Sequence, residues 1–185
     1  MTNFKELTTK TWKDFEQLFG ERGACEGCWC MYWRLRHKDY KPNRGINNKK
    51  SMQGLVKNNQ QIGILMYVDN EPVGWCSVAP REDFIRLQNS KILKPVDDKP
   101  VWSITCFFID KKHRRNGYST KLLEAVIKIV KKKGAKILEG YPHEPKNDNM
   151  PAAFAWTGIS NSFIKAGFKE VARRSETRPI MRYNL

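Results

Sequence analysis

Between Val101 and Lys133 the chain reads VWSITCFFIDKKHRRNGYSTKLLEAVIKIVKKK: an apolar run, a basic turn with a single glycine, and a segment of helical periodicity. The chemistry that such a junction supplies is anion binding. The first backbone N–H groups of a helix lack intrahelical partners, point out of its end and carry the positive pole of the macrodipole, so a phosphate there meets donors and positive charge together. Arg114, Arg115, Asn116, Gly117, Tyr118, Ser119 and Thr120 form the turn, with Lys111 and Lys112 beside it. Gly117 is its only glycine, which excludes the GxGxxG dinucleotide fingerprint and also the P-loop, which needs a second glycine and Lys-Ser/Thr.

A second cluster of reactive types lies upstream, in GACEGCWCMYWRL. Cys25, Cys28 and Cys30 have a C-x-x-C-x-C spacing that could hold zinc, but a structural zinc takes four ligands and the nearest histidine, His37, falls outside the usual patterns. No metal is expected. The cysteines read as buried thiols packed beside Trp29, Met31, Tyr32 and Trp33, with Cys76 and Cys106 buried on strands.

The elements that position the turn can be read from periodicity. Val101 to Ile109 is a strand, and Leu122, Leu123, Val126, Ile127 and Val130 form the apolar stripe of a helix that is lysine-rich at its end and stopped by Gly134. Lys136 to Tyr141 is the next strand. Strand, crossover helix and strand imply a parallel pair with a right-handed crossover. Ile62 to Val68 and Val73 to Val78 flank Asp69-Asn70-Glu71-Pro72 as a hairpin, so the sheet is mixed. A capping box of Thr11 and Asp14 opens a first helix that runs to Gly20, Asn47 to Asn59 reads as another, and Arg81 to Asn89 as a short one before the link Lys94 to Pro100. His143 to Ala155 is a loop with Pro145 and Pro151. Thr157 caps a short helix to Ala166, and strands follow at Phe168 to Arg173 and Ile180 to Tyr183.

At 185 residues the chain suits one domain. No stretch approaches a membrane span, the N-terminus lacks the apolar core of a signal peptide, and five cysteines suggest reduced thiols, so a cytoplasmic protein is expected. The net charge of +15 fits nucleic acid, an anionic membrane, an acidic substrate or a polyphosphate cofactor, and does not rank them.

With strand, turn and helix in order, Arg114-Arg115-Asn116-Gly117-Tyr118-Ser119 resembles motif A of the GNAT superfamily of N-acetyltransferases, Gln/Arg-x-x-Gly-x-Gly/Ala, with Ser119 departing by one hydroxyl. Phe163-Ile164-Lys165-Ala166-Gly167-Phe168 is similar to the short helix ending in Gly-Phe that precedes the last strands of that family. The resemblance covers Ile62 to Tyr183. It implies a single α/β (α+β) domain with a central mixed, mostly antiparallel sheet, one splayed parallel strand pair and flanking helices. Residues 1–60 would be acceptor-side helices and 61–185 an acetyl-CoA-binding core.

The resemblance further implies acetyl-CoA as donor, with its pyrophosphate on the N–H groups of Arg115 to Thr120 and its pantetheine along Phe107, Phe108 and Ile109. The acceptor would be an amine of a small molecule or a protein, with no membrane involved and homodimers common among relatives. Trp29, Tyr32 and Trp33 would line the acceptor pocket. Acetyl transfer needs a proton acceptor for the amine, donors for the oxyanion and an acid for the thiolate. Phe163 stands where many members carry the acid tyrosine, and Trp102-Ser103 where some carry a glutamate base. Ser162 or Tyr141 could replace the acid, or the thiolate could leave unassisted. Tyr141 and His143 lead the candidates, with Glu139, Glu144, Glu82 and Asp83 behind them. The competing readings are a CoA-binding sensor without transfer and a basic nucleic-acid-binding module, the latter without any recognisable motif.

Overall fold

A computed structural model describes residues 1–60, 62–145 and 152–185, with side chains left aside at 152–154. Of the loop that the sequence places between His143 and Ala155, residues 146–151, Pro151 included, lie outside the described residues, and its end is helical instead, in a 3-10 segment Ala152–Thr157. Seven strands form one sheet in the order β1-β2-β3-β4-β5-β7-β6. They are β1 (Thr2–Glu6), β2 (Gly63–Val68), β3 (Glu71–Pro80), β4 (Trp102–Ile109), β5 (Ile137–Gly140), β6 (Lys169–Arg173) and β7 (Pro179–Asn184). The helices are α1 (Trp12–Phe19), α2 (His37–Tyr40), α3 (Ile46–Lys57), α4 (Ile85–Gln88), α5 (Tyr118–Lys132) and α6 (Ser160–Lys165). All neighbouring strands pair antiparallel except β4 and β5, which are parallel.

The β2–β3 turn is the two-residue kind. Asp69 and Asn70 have φ of 48° and 68°, the left-handed pair whose twist matches that of the flanking strands. Asp69 also takes the terminal ammonium of Met1, which fastens the start of β1 to the hairpin.

Each sheet face buries its own core. Leu122, Leu123, Val126 and Val130 of α5 pack on Ile64, Val78, Ile104 and Leu138. On the opposite face Trp12, Phe15 and Phe19 of α1 pack with Trp29 against Leu65 and Trp75, and Phe84, Leu87 and Leu93 pack with Trp33 and Tyr141.

The sheet is interrupted at its centre. Ser77 pairs with Cys106 but Val78 with Ile104, so Thr105 is an extra residue on β4, a bulge. On its other side β4 meets β5 only at Trp102↔Leu138, Ser103↔Glu139 and Ile104↔Gly140, after which the two strands part. The gap is filled by Phe163 of α6, fully buried, whose ring lies 5.8 Å from that of Phe107. A Cβ on Gly140 would fall 2.2 Å from this ring and one on Gly158 2.6 Å from it. Glycine at 140 is therefore required by close approach: its backbone lies where any side chain would collide with the wedge.

Several sequence expectations need correction. Thr11 forms no helix cap, because its hydroxyl donates to Glu6 O at 2.8 Å, and Asp14 instead accepts from the Tyr67 hydroxyl at 2.6 Å. Thr157 caps nothing either: α6 starts after Ile159, and Thr157 is buried. The span Arg81 to Asn89 divides into a 3-10 turn, Arg81–Asp83, and α4. Residues 1–60 are not all helical, since β1 is an edge strand of the sheet.

Gly140→Ala is expected to lower stability by about 1–3 kcal/mol through overpacking against Phe163. Thermal denaturation measures it, and Phe163→Leu should recover part of the loss in the double variant.

Candidate active site

Asp110 ends β4 and turns the chain by accepting from the Lys112 N–H at 2.9 Å, while Arg114 Nε donates to Ile109 O at 2.9 Å and closes the turn onto the strand. Arg115 and Gly117 have φ of 65° and 71°. These two left-handed residues reverse the chain into α5, whose first backbone bonds run from Thr120 and Lys121 to Gly117 O at 3.1 and 3.3 Å. Among the described residues, the N–H groups of Arg115, Asn116, Gly117, Tyr118 and Ser119 donate to no backbone carbonyl. A Cβ on Gly117 would meet nothing within 4 Å, so the space above these donors is open. Lys111, Lys112, Arg114 and Arg115 are exposed around it. This arrangement fits a diphosphate: free donors, a helix N-terminus and a positive rim.

The strand leading to this turn offers a second kind of contact. Phe107 and Ile109 are buried on the α5 face, and Phe108 is half-buried on the other, 5.7 Å from the Phe19 ring. Their side chains are thus taken up by packing. Beyond Ile104 no other described strand pairs with this edge of β4, so its backbone groups can pair with an extended, amide-bearing ligand.

At the closed end of the parting lies a buried polar network. The Tyr141 hydroxyl donates to Glu139 Oε1 at 2.6 Å, accepts from Arg81 Nη1 at 2.5 Å and lies 2.8 Å from Ser103 Oγ. Arg81 reaches Glu139 at 3.2 Å and donates to the carbonyls of Leu87 and Leu93 at 3.3 and 2.6 Å. The other Glu139 oxygen accepts from Arg182 Nε at 2.7 Å, and Arg182 continues to Asp97 with two bonds of 2.7 and 3.0 Å. Glu139 and Tyr141 have no exposed surface. Burial, reinforced by the Glu139 charge, pushes the Tyr141 hydroxyl well above the ordinary phenol range.

The structure thus brings Tyr141 and Glu139 together. His143 lies two residues on, half-buried, with its N–H on Gly158 O at 2.8 Å and its carbonyl accepting from Ser160 at 3.0 Å. Its Nδ1 is buried without a partner among the described residues. Glu82 stays apart, exposed on the 3-10 turn. Arg81 and Arg182 complete the network and were not among the sequence candidates, because nothing local marks an arginine as the partner of a carboxylate on another strand.

The aromatic segment divides. Trp29 is 3% exposed and stacks on Phe19 at 5.8 Å, so its ring belongs to the core. Tyr32 and Trp33 face Trp156 at 5.0 and 5.8 Å instead. The three cysteines occupy different environments: Cys25 exposed, Cys28 half-buried, Cys30 buried. Burial alone would raise the Cys30 thiol, but hydrogen bonds with Cys106, Trp75 and Ser77, together with the Arg34 charge, outweigh it and lower the pKa. Ala24, Glu26, Trp29 and Cys30 all have positive φ, so this segment holds its thiols by a strained backbone.

Comparison with known proteins follows the same lines. The model of the acetyltransferase (GNAT) family matches residues 15–156. No curated protein matches the chain. Among solved structures, the PaiA N-acetyltransferase from Thermoplasma acidophilum in complex with coenzyme A has 14% identity and a TM-score of 0.55, covering 100% of this chain and 99% of that one. A GNAT-family acetyltransferase from Streptococcus agalactiae has 14% identity and a TM-score of 0.59, covering 100% and 95%. Another from Streptococcus pneumoniae has 14% identity and a TM-score of 0.55, covering 100% and 99%. These likenesses show the fold. Among the described residues no helix is long and apolar enough to cross a membrane.

Arg81→Met should leave the buried Glu139 carboxylate with a single arginine and cost about 3–5 kcal/mol. Thermal unfolding reads this directly, and Asp97→Asn at the exposed end of the same network should shift Tm far less.

Proposed function

Because the chain belongs to the acetyltransferase (GNAT) family, whose members use acetyl-CoA, we propose that it acetylates a primary amine of a small molecule or a protein. The observation that carries this reading is the continuous path from the free N–H groups at the start of α5, along the unpaired edge of β4, to the bulge at Thr105 and the residues around Tyr141 and His143. When bound, the acetyl thioester supplies an activated acyl group.

The chain's own residues then have distinct tasks. Arg115 to Ser119 hold the diphosphate by backbone N–H groups, with Arg114 fixing the turn and the exposed lysines screening charge. The β4 edge beyond Ile104 orients the amide-bearing arm, and the side chains of Phe107 and Ile109 keep that edge rigid by anchoring it in the core. His143 takes the proton of the attacking amine at Nδ1, the nitrogen without a partner among the described residues. Tyr141 and Glu139 act by position: their shared bonds to Arg81, Ser103 and Arg182 fix the end of β5 from which His143 extends. Phe163 has no proton to give to a departing thiolate, and a thiol with an ordinary pKa of about 8.5 needs little help.

The absence of a phenol at Phe163 favours, as the second reading, a CoA-binding sensor without transfer. The two readings separate in one assay, thiol release from acetyl-CoA over an amine panel alongside thermal stabilisation by acetyl-CoA. Release with at least one amine is expected; stabilisation without any release would leave the sensor. Ser119→Phe should weaken acetyl-CoA binding by roughly tenfold or more as a side chain enters the space over the free donors, and Gly117→Val should do so as well, there also by straining the left-handed backbone of the turn. His143→Gln should reduce kcat on the order of a hundredfold while leaving acetyl-CoA affinity unchanged.

A further inference from the structure

On the sheet face opposite α5, Tyr32 is ringed by aromatic side chains. Trp33, Tyr40 and Trp156 meet it edge-on, at centroid distances of 5.2, 5.3 and 5.0 Å, and Trp33 and Trp156 stack on each other at 5.8 Å. The cluster adjoins the parting of the strands. Trp156 stands two residues before Gly158, a Cβ on which would lie 3.4 Å from the Phe107 ring of β4, and Gly158 O holds the backbone of His143. Trp33 shares an apolar cluster with Tyr141.

Two arginines, Arg86 and Arg178, enter this cluster. Arg86 Cζ lies 3.9 Å over the Tyr32 ring and its Nε donates to Leu35 O at 3.4 Å, while its Nη2 is buried with no partner among the described residues. Arg178 lies within electrostatic reach of Tyr32, its Nε is buried without a partner among the described residues, and burial disfavours its charge. Among the described residues no carboxylate lies within ion-pair distance of either, whereas the buried Arg81 and the half-buried Arg182 are both paired with Glu139. Further unsatisfied groups lie in the same surroundings: Trp33 Nε1, in a side chain 8% exposed, and Thr157 Oγ1, in one with no exposure. Buried donor atoms of this kind call for an acceptor, and half-buried guanidiniums without a carboxylate partner are best answered by an anionic one.

We propose that the acceptor is an amine that also bears a carboxylate, held by Arg86 and Arg178 beside the Tyr32–Trp33–Trp156 cluster. A carboxylate accepts only and matches the planar donor fork of a guanidinium, which selects it over a neutral group. The aromatic faces take the organic body of the ligand, and the amine is left on the side of Gly158 and His143. An α-amino acid has this combination of groups. The inference rests on the acetyl-transfer reading for the fate of the amine, but the binding site itself can be tested without turnover.

The test titrates a panel of α-amino acids, each matched with its decarboxylated amine, into the full chain by calorimetry, with and without CoA. At least one amino acid should bind tenfold or more tightly than its decarboxylated partner. Arg86→Gln and Arg178→Gln, checked for unchanged Tm, should each reduce that ratio to threefold or less. A panel with no such preference, or a preference that survives in both variants, overturns the proposal. Discrimination that is present without thiol release from acetyl-CoA would uphold the site and sink the transfer reading, so the two failures are distinguishable.

Discussion

Everything in this molecule that bears on function depends on β4 and β5 being held together over three residue pairs and kept apart beyond them. A strand edge inside a sheet is normally satisfied by its neighbour, and an unsatisfied edge has a cost. Here the separation is built in from both sides of the strand. The bulge at Thr105 bends β4 where pairing ends, and Phe163 fills the space that a continuing β5 would occupy. Packing thus maintains an opening that hydrogen bonding alone would close, and it exposes the backbone groups that an amide-rich ligand needs.

The closed end of the opening is secured by charge. Glu139 binds Arg81, which follows β3, and Arg182 of β7, so one carboxylate joins segments on both sides of β5. Tyr141 and Ser103 add neutral hydrogen bonds between β5 and β4. Such a network is weak evidence for stability relative to an apolar core of the same shape, but its geometry is specific. It fixes where β5 ends and therefore where the chain bearing His143 sets out. Arg86 and Arg178 differ from these: among the described residues neither has a carboxylate within ion-pair distance, and one buried nitrogen of each has no hydrogen-bond partner.

The donor half was legible in the sequence because it is local. Strand, turn and helix fall within one continuous segment, and the single glycine, the basic run and the apolar stripe each state their role by spacing. The hairpin was legible for the same reason. What lay hidden was long-range. Arg81 and Glu139 are 58 residues apart and share no pattern, so the carboxylate read as a proton-transfer candidate without its partners. Trp29 read as pocket because an aromatic ring suits a pocket and a core equally well, and only the stacking on Phe19 decides. β1 escaped because Phe4 is its only large apolar residue, and its place is set by pairing with β2. The Thr11 cap failed through competition, since Glu6 O offered that hydroxyl another acceptor.

The two functional regions lie on opposite faces of one sheet, with the α5 core on one side and the Tyr32–Trp33–Trp156 cluster on the other. The parting of β4 and β5 lies between them. In the proposed reading, the acyl donor enters from one face and the amine from the other, so neither has to leave for the other to arrive. Both can be present at once, and the order of arrival carries no steric penalty. No side chain then has to carry the acetyl group between visits, which frees the sulfur-rich segment around Cys30 from serving as a covalent relay.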